Sequence, residues 1–334
     1  MESSLLHTLL AQGRPLLADG ATGTNLFAVG LTSGECPEFW NADHPDRIQA
    51  LHQAFVDAGS DIILTNSFGG NRRRLALHGA EGRVRELNRL AAENARAVAA
   101  KAGRPVVVAG SVGPTGDIFA PLGPMTEEEA VDVFAEQIEG LREGGAGVVW
   151  IETMSAAEEI RAAASAAARA GMPCTVTASF DTAGRTMMGV APAAVGALAG
   201  AFDPKPLAYG ANCGVGASDL LVSILAMSAA DPDAILIAKA NAGVPHWHGA
   251  EIHYSGTPEL MERYAGLAVD CGARIVGGCC GNTPAHVAAI RRGLDGHRRE
   301  APPTLEAIVA ALGALVAPPS AEATAPRSRR RERS

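Results

Sequence analysis

The sequence predicts an α/β protein in which eight parallel strands, each followed by a helix, close into a single-domain (β/α)₈ TIM barrel. Eight runs rich in β-branched and apolar residues alternate with amphipathic stretches along the chain. Nearly continuous apolar strands separated by helices are typical of a parallel sheet covered on both faces, and eight such units in about 280 residues match a closed barrel. The runs occupy residues 15–20, 61–66, 105–110, 147–152, 173–179, 207–213, 235–241 and 274–280.

The segments between these runs have the spacing of helices. Phe134, Ile138 and Leu141 follow one another at intervals of four and three residues, which places them on one helix face. Glycines mark the predicted helix ends, where a left-handed residue often precedes the next strand. They stand at positions 59, 103, 144, 171 and 272.

An open doubly wound sheet is the alternative fold. Its best-known signature is the G-x-G-x-x-G turn, which brings a helix N-terminus to a pyrophosphate. Neither glycine-rich segment, GATG (20–23) or GSVGPTG (110–116), has that spacing. We interpret both as turns between a strand and a helix, so the closed barrel is favoured.

Composition and charge narrow the classes of function. Apolar residues make up 47% and charged residues 19% of the 334-residue chain, which excludes a disordered or collagen-like protein. The net charge is −8, and because the last eight residues carry +4, the body in front of them carries −12. Nucleic-acid binding needs a basic surface, so no nucleic-acid partner is predicted.

The barrel is predicted to span residues 14–297, after a short N-terminal helix over 1–13. A C-terminal helix over 298–317 contains an apolar stretch that can dock on the barrel or on a second subunit, which leaves a homo-oligomer open. The end of the chain, 318–334, is rich in Pro, Ala and Arg and is predicted to be a disordered basic tail.

Signals for secretion or membrane insertion are lacking in the sequence. The N-terminus reads MESSLLHTLL, with an acid at position 2 and a short apolar stretch, unlike the basic start of a signal peptide. The longest apolar helix candidate is too short to cross about 30 Å of hydrocarbon. Six cysteines are too few for a disulfide scaffold in a chain of this length. We therefore expect a cytoplasmic protein with reduced thiols and no membrane contact.

Polar side chains collect at the ends of the predicted strands. Active sites of this fold lie at the C-terminal ends of the barrel strands. Polar groups that end apolar runs are unfavourable in a core unless they have partners or face a site. The strand ends are Asp19-Gly20, Thr65-Asn66, Gly110-Ser111, Glu152-Thr153, Ser179-Phe180, Asn212-Cys213, Lys239-Ala240-Asn241 and Cys279-Cys280.

Three cysteines fall at this end of the barrel, Cys213 after the sixth strand and the pair Cys279 and Cys280 after the eighth. Strands six and eight are close enough around a barrel for these thiols to reach a common centre, and three thiolates with one open position suit a catalytic zinc. Neighbouring strand residues point to opposite faces, so the pleat must break at the pair, where glycines flank it. The other cysteines, Cys36, Cys174 and Cys271, lie in the loop after the first strand or at the opposite end.

A three-cysteine zinc favours one kind of chemistry. Three thiolates give the zinc unit a net charge of −1, which makes it a weak Lewis acid towards a carbonyl group. Such a centre can instead hold a fourth thiol as its thiolate and leave the sulfur nucleophilic. The cysteines therefore point to alkyl transfer onto a substrate sulfur.

Five motifs extend this interpretation: DGATGTNL (19–26), TNSFGGN (65–71), GANCG (210–214), NAG (241–243) and GGCCGNTPAH (277–286). Together they resemble the zinc-dependent homocysteine S-methyltransferase family over about residues 14 to 295, and within it most the bacterial betaine–homocysteine methyltransferases. By that resemblance Cys213, Cys279 and Cys280 are the zinc ligands and the homocysteine sulfur is the fourth. The positions that hold the amino acid part of homocysteine are Asp19, Gly20, Thr65 and Glu152.

The implied methyl donor is a small onium compound. Betaine is favoured, and S-methylmethionine and dimethylsulfoniopropionate are alternatives, because each carries a methyl group on a positive centre. Thr153 and Gly69 stand where the animal betaine enzymes have tyrosines. Aromatic side chains would bind the cation by cation–π attraction. The candidates are Trp40, Phe68, Phe180, Trp247 and Tyr254.

Two hypotheses of other classes remain open. Lys239 could act as the Schiff-base nucleophile of an aldolase-like barrel, with Asp19 and Glu152 as acid and base. Alternatively, the zinc could be structural in a non-catalytic binding module, closed by His246 or His248 as the fourth ligand.

Overall fold

A computed structural model describes residues 4–248 and 251–318, and only the backbone between 245 and 253. Eight of its strands belong to one sheet and two form a separate hairpin. The strands are β1 (Leu16–Leu17), β2 (Ile62–Leu64), β3 (Val107–Val112), β4 (Val148–Met154), β5 (Cys174–Ala178), β6 (Ala208–Cys213), β7 (Leu236–Ala240), β8 (Pro245–His248), β9 (Glu251–Tyr254) and β10 (Ala273–Gly278).

Helices surround the sheet, and three short 3₁₀ turns, Pro37–Phe39, Ala76–His78 and Glu81–Arg83, lie in the loops. The helices are α1 (Leu5–Leu10), α2 (Gly23–Ala28), α3 (Trp40–Asp43), α4 (Pro45–Asp57), α5 (Arg72–Leu75), α6 (Val84–Ala99), α7 (Glu127–Glu143), α8 (Ala157–Arg169), α9 (Pro192–Gly200), α10 (Ala217–Ala230), α11 (Pro258–Asp270), α12 (Pro284–Asp295) and α13 (Leu305–Leu312).

The eight-stranded sheet is parallel throughout and has the order β1-β10-β7-β6-β5-β4-β3-β2. A parallel bridge between Ala18 and Ile62 joins its two edges, and the Asp61 amide donates to the Leu17 carbonyl at 2.7 Å. The sheet is thereby closed into a (β/α)₈ barrel, as the alternating runs predicted. All eight predicted strands are present, although β1 and β2 are shorter than their apolar runs.

The inside of the barrel is apolar towards the N-terminal ends of the strands. Leu16, Ile62, Trp150 and Ile237 are buried there in one cluster. Helix α1 covers this end and adds side chains to the same cluster, because its apolar residues fall on one face. These are Leu6, Leu9 and Leu10.

The outer helices pack on the barrel as their periodicity predicted. In α7, Phe134, Ile138 and Leu141 are fully buried, and a capping box between Thr126 and Glu129 starts the helix. One predicted helix end is wrong by a residue: Gly144 keeps a helical φ of −75°, and Gly145 takes the left-handed conformation at +91°.

The C-terminal segment docks on the chain's own barrel. Helix α13 ends at Leu312, earlier than the apolar pattern indicated, and its Ile308 is fully buried. Beyond it, the Asp219 carboxylate accepts hydrogen bonds from the amides of Val316 and Ala317 at 3.0 and 2.9 Å. The predicted basic tail lies outside the described residues from position 319 onward.

The antiparallel hairpin of β8 and β9 was not predicted. Its backbone pairs Pro245 with Tyr254 and His248 with Glu251, directly after β7. Among the described helices, none combines the length and the apolar character that crossing a bilayer requires.

Candidate active site

A cavity of about 380 Å³ opens at the C-terminal ends of the barrel strands. Its wall is formed by residues in the last part of β3, β4, β6, β7 and β10 and in the loops after β1, β2 and β10, so distant parts of the chain meet there. Among the residues singled out in the sequence, Gly20, Cys36, Thr65, Asn66, Phe68, Ser111, Glu152, Thr153, Cys213, Lys239, Cys279 and Cys280 line it.

The thiols of Cys213, Cys279 and Cys280 come together in this cavity. Their sulfur atoms all lie within 4.8 Å of one another, and those of Cys213 and Cys280 are 3.8 Å apart. Strand β10 ends at Gly278, before the cysteine pair, so the pleat is broken at the position where the sequence required it. Three soft donors at this spacing could hold a metal ion.

Two asparagines hold the cysteine segments together. The Asn241 side chain accepts a hydrogen bond from the Cys280 amide at 3.0 Å and donates to the Gly214 carbonyl at 2.7 Å, which links the two segments that carry the thiols. Asn282 donates to the carbonyls of Ala240 and Cys279 at 2.9 and 3.1 Å. These bonds fix the cysteine backbone before any ligand binds.

The backbone around the thiols is strained. Cys213 has a φ of +62°, which is unfavourable for a residue with a side chain and is typical of functional sites. Gly281 has a φ of +78°, and a Cβ atom there would lie 2.3 Å from Cγ of Tyr254. Tyr254 can therefore approach the cysteine turn only because residue 281 has no side chain.

The three thiols differ in acidity. Hydrogen bonds from Cys213 and Cys279 lower the pKa of Cys280 to about 3, and the Tyr254 hydroxyl contributes another. The pKa of Cys213 is raised, because its thiol donates to the other two sulfurs, and that of Cys279 is raised to about 12. The contacts among the three sulfurs thus favour a thiolate at Cys280, which would suit a cation.

Asn212 connects the strained end of β4 to the cysteines. Its side-chain oxygen accepts from the Thr153 amide at 2.8 Å and from the Thr177 hydroxyl at 2.7 Å. Its amide donates to the Thr153 hydroxyl at 2.8 Å and contacts the Cys279 sulfur at 3.7 Å. Thr153 has a φ of +63°. The sequence listed Asn212 only as a strand end, and its place beside Cys213 is the signal for a supporting role.

Glu152 is a buried carboxylate in the wall of the cavity. One of its oxygens accepts a short hydrogen bond from the Ser111 hydroxyl. Burial raises the pKa of Glu152 to about 7, although the positive charge of Lys239 acts in the opposite direction. The carboxylate is therefore poised between its two protonation states near neutral pH.

Asp19 is bound by other groups of the protein. Its carboxylate accepts from the Leu64 amide and from the Lys239 ammonium, both at 2.7 Å, and both side chains are fully buried. Burial alone would lower the pKa of Lys239, but the carboxylates of Asp19 and Glu152 raise it above its usual value. Lys239 is thus a protonated ammonium, held 5.8 Å from the centre of the Trp150 ring.

Thr65 belongs to a hydrogen-bonded group at the ends of β2 and β3. Its hydroxyl accepts from the Ser111 amide at 3.0 Å and shares a 2.6 Å hydrogen bond with the Ser67 hydroxyl. The same Ser111 binds Glu152. Three of the four residues proposed for the amino acid part of homocysteine, Gly20, Thr65 and Glu152, therefore face the cavity.

The five aromatic candidates are dispersed. Phe68 lines the cavity and is 40% exposed. Trp40 is buried elsewhere, where its ring nitrogen donates to Glu35 at 2.7 Å, and Phe180 borders a different cavity of about 320 Å³. Tyr254 packs on the cysteine turn, and the side chain of Trp247 lies outside the described residues.

Two of the other three cysteines lie at the opposite end of the barrel from the three-thiol group, whereas Cys36 lines the same cavity. Cys174 begins β5 and Cys271 follows α11, both at the opposite end of the barrel. Burial raises the pKa of each to about 12, so both are neutral thiols. The sequence-based division between the two ends therefore agrees with the geometry.

The profile of a known family matches most of this chain. The model described as homocysteine S-methyltransferase covers residues 16–294, which include every part of the barrel and the cysteine cavity. The chain belongs to the homocysteine S-methyltransferase family.

The curated relatives that this chain matches include much longer proteins. Methionine synthase of Mycobacterium tuberculosis is 31% identical over 296 residues, which cover 83% of this chain and 24% of the relative. Methionine synthase of Mycobacterium leprae is 32% identical over 318 residues, 88% of this chain and 26% of the relative. This chain thus spans about a quarter of the length of these relatives.

Solved structures give the same family assignment. The oxidized form of the homocysteine methyltransferase MmuM from Escherichia coli superposes with a TM-score of 0.72 at 25% identity, covering 86% of this chain and 99% of that one. The metallated form of MmuM has a TM-score of 0.71 at the same identity and coverage.

Proposed function

We propose that this protein transfers a methyl group from a small onium donor, betaine first, to the thiolate of homocysteine and so forms methionine. The observation that carries the proposal is the meeting of three cysteine sulfurs from two separate strands in one cavity. Family membership and the homocysteine methyltransferase MmuM support the acceptor, and the name of the mycobacterial relatives supports the product.

The donor set fits zinc. A tetrahedral zinc with bonds of about 2.3 Å to sulfur separates its ligands by about 3.8 Å, and the sulfurs of Cys213 and Cys280 are 3.8 Å apart. The low pKa of Cys280 supports a thiolate ready to bind a cation. Cys213, Cys279 and Cys280 would hold the ion, which would keep the homocysteine sulfur deprotonated at neutral pH. The metallated form of MmuM supports a metal in this family.

The surrounding residues would orient the amino acid part of homocysteine. Glu152 borders the cavity, and the Ser111 hydroxyl occupies only one of its two carboxylate oxygens. The other oxygen would accept a hydrogen bond from the substrate ammonium. Gly20 and Thr65 form the adjacent wall, where a backbone and a hydroxyl can approach the substrate carboxylate. Asp19, fixed by the Leu64 amide, would act in this wall as the counter-ion of Lys239.

Methyl transfer then needs no acid or base from the protein. The homocysteine thiolate attacks the methyl carbon, a sulfur–carbon bond forms, and the carbon–nitrogen bond of betaine breaks with its electron pair retained by nitrogen. The negative sulfur and the positive nitrogen both become neutral in this step. A cavity that is walled in part by apolar side chains would favour such charge cancellation.

The Schiff-base alternative meets a specific obstacle. A nucleophilic lysine must lose its proton, which proteins achieve by desolvation without a compensating anion. Lys239 instead pairs with Asp19 at 2.7 Å, and its pKa is raised. We therefore expect no covalent adduct at Lys239 after borohydride treatment with a carbonyl substrate.

The proposal is tested by loading the full chain with zinc and supplying homocysteine with betaine, S-methylmethionine or dimethylsulfoniopropionate. We expect methionine to form in equal amount to the demethylated donor, fastest with betaine. No methionine with any of the three donors, from protein that binds zinc and homocysteine, would contradict it.

A variant with both His246→Ala and His248→Ala tests the structural-zinc alternative. The methyltransferase proposal predicts that this variant keeps its zinc, because the fourth position belongs to the substrate. Loss of the metal would favour a closed structural site with a histidine ligand.

A further inference from the structure

The loops after β1 and β2 contribute a buried carboxylate to the same cavity. Glu38, in the 3₁₀ turn Pro37–Phe39, lines the cavity and is only 5% exposed. The same cavity is also lined by Phe27, Phe68, Arg74 and His78, and neither Arg74 nor His78 forms an ion pair with Glu38. None of the motifs that indicated homocysteine chemistry contains Glu38.

The position of this carboxylate is fixed by two hydrogen bonds. The Gly69 amide donates to Oε1 at 2.6 Å, and the Cys36 thiol donates to Oε2 at 3.2 Å. Burial, with the negative charge of Glu38 beside it, raises the pKa of Cys36 to about 12, so this thiol remains a donor. Both bonds hold the two carboxylate oxygens of Glu38 in place.

Gly69 makes this arrangement sterically available. A Cβ atom at position 69 would lie 3.0 Å from Oε1 of Glu38, closer than an ordinary contact. The absence of a side chain therefore lets the carboxylate reach the Gly69 amide. This chain therefore presents a carboxylate to the cavity at this position.

The Glu38 carboxylate has no cationic partner in the described part of the chain. Among the described residues, no lysine, arginine or histidine forms an ion pair with Glu38. A buried carboxylate that has hydrogen bonds but no counter-ion offers a binding partner to a ligand with a positive charge. Phe68 lies in the same wall and adds an aromatic face, which also attracts cations.

We propose that Glu38, held by Gly69 and flanked by Phe68, is the subsite for the cationic group of the methyl donor. This inference rests on the proposed function and adds the means of donor recognition: an ion pair supplemented by one aromatic face, instead of an aromatic cage. The ligand class is a small trialkylammonium or dialkylsulfonium compound. The subsite should bind an uncharged compound of the same shape more weakly.

Calorimetric titration of the zinc-loaded full chain tests this subsite with charged and uncharged ligands of matched shape. The pairs are betaine with 3,3-dimethylbutyrate, and dimethylsulfoniopropionate with 4-methylpentanoate. L-Homoserine, which has a hydroxyl in place of the thiol, is added to fill the amino acid subsite without methyl transfer. We expect the wild type to bind the cation of at least one pair about tenfold or more tighter than its uncharged partner.

Glu38→Gln should abolish this preference, because it weakens binding of the cationic ligand and leaves the affinity for the uncharged ligand nearly unchanged. Gly69→Ala should reduce it in part, because the added methyl group displaces the carboxylate without removing its charge. Glu35→Gln is the matched control: it removes one charge from the same loop, where the carboxylate binds Trp40 and Thr32, and should keep the preference.

Equal binding of charged and uncharged ligands by the wild type, or an undiminished preference in a folded, zinc-containing Glu38→Gln protein, would overturn the assignment. These outcomes are separable from the proposed function. If methionine forms while Glu38→Gln keeps the preference, the subsite is wrong and the function stands. If no donor gives methionine but Glu38→Gln still abolishes the preference, the cation subsite stands without the reaction.

Discussion

The two ends of the barrel have opposite chemistry although the same strands build both. At the N-terminal end, Leu6, Leu9 and Leu10 of α1 cover an apolar interior that includes Leu16 and Ile62. At the C-terminal end the interior becomes polar and charged, with Lys239, Asp19 and Glu152 buried around a cavity. Stability is thus concentrated at one end, and unfavourable but chemically useful groups at the other.

Cysteine shows what this difference means for a single residue type. Cys174 at the apolar end is alone, and burial raises the pKa of its thiol to about 12. Cys280 at the polar end accepts hydrogen bonds from two other thiols and has a pKa of about 3. Position in the barrel, through the neighbours it provides, decides whether a thiol is a packing group or an anion.

The largest effect is expected when a cysteine at each end of the barrel is replaced by alanine and the two variants are compared. Cys280→Ala should lose the bound zinc and reduce methionine formation well beyond the roughly 10–100-fold typical of changes outside the ligand shell. Cys174→Ala should keep both and lower the free energy of unfolding by only about 1–2 kcal/mol. Metal analysis and a methionine assay measure the pair. Zinc loss in Cys174→Ala would refute the division between the ends.

The next effect concerns the buried ion pair at the polar end. Lys239→Met removes the partner of Asp19 and should lower the free energy of unfolding by about 3–5 kcal/mol, because a buried carboxylate is left uncompensated. Adding Asp19→Asn to this variant should recover part of the loss. Urea unfolding of the two variants is the measurement, and a stable single variant would show that the pair contributes little.

At the apolar end, Leu6→Ala should reduce stability without touching the chemistry. Leu6 is 1% exposed, so its truncation should cost about 2–4 kcal/mol in unfolding free energy. Zinc content and the KM for homocysteine should stay at wild-type values below the unfolding transition. A change in either value would mean that the two ends are coupled through the barrel.

A smaller, pH-dependent effect is expected outside both ends. Burial lowers the pKa of His52, in α4, to about 4, compared with about 6.5 in an unfolded chain. The unfolded state therefore binds the extra proton between these values, and stability falls as the pH drops through them. From pH 7 to pH 5 the loss should be about 2 kcal/mol.

His52→Leu should remove most of that loss in denaturant titrations at the two pH values. An unchanged pH dependence in this variant would place the responsible group elsewhere, with the carboxylates of the polar end as the first candidates.

Much of this structure could be predicted from the periodicity of apolar residues and from the residues at the strand ends. The eight runs located the eight barrel strands because a parallel strand is buried on both faces and reads as continuous apolar residues. The division of Cys213, Cys279 and Cys280 from Cys174 and Cys271 followed from strand direction alone. Closure of the barrel then brought the three thiols together without any further information.

Other features depend on contacts that no local pattern encodes. The Asp19–Lys239 pair joins residues 220 positions apart, and its geometry decides against a nucleophilic lysine. Aromatic character alone did not distinguish Phe68, which lines the cavity, from Trp40, which Glu35 holds elsewhere. The sequence around Glu38 does not distinguish it from other acidic loop residues, and only its hydrogen bond from the Gly69 amide shows its fixed place in the cavity wall.

X-ray absorption at the zinc edge, on zinc-loaded protein with and without homocysteine, tests the central claim most directly. The account predicts three sulfur ligands and one lighter atom in the free protein, and four sulfurs once homocysteine is added. Fewer than three sulfurs in the free protein, or a ligand set that homocysteine leaves unchanged, would contradict it.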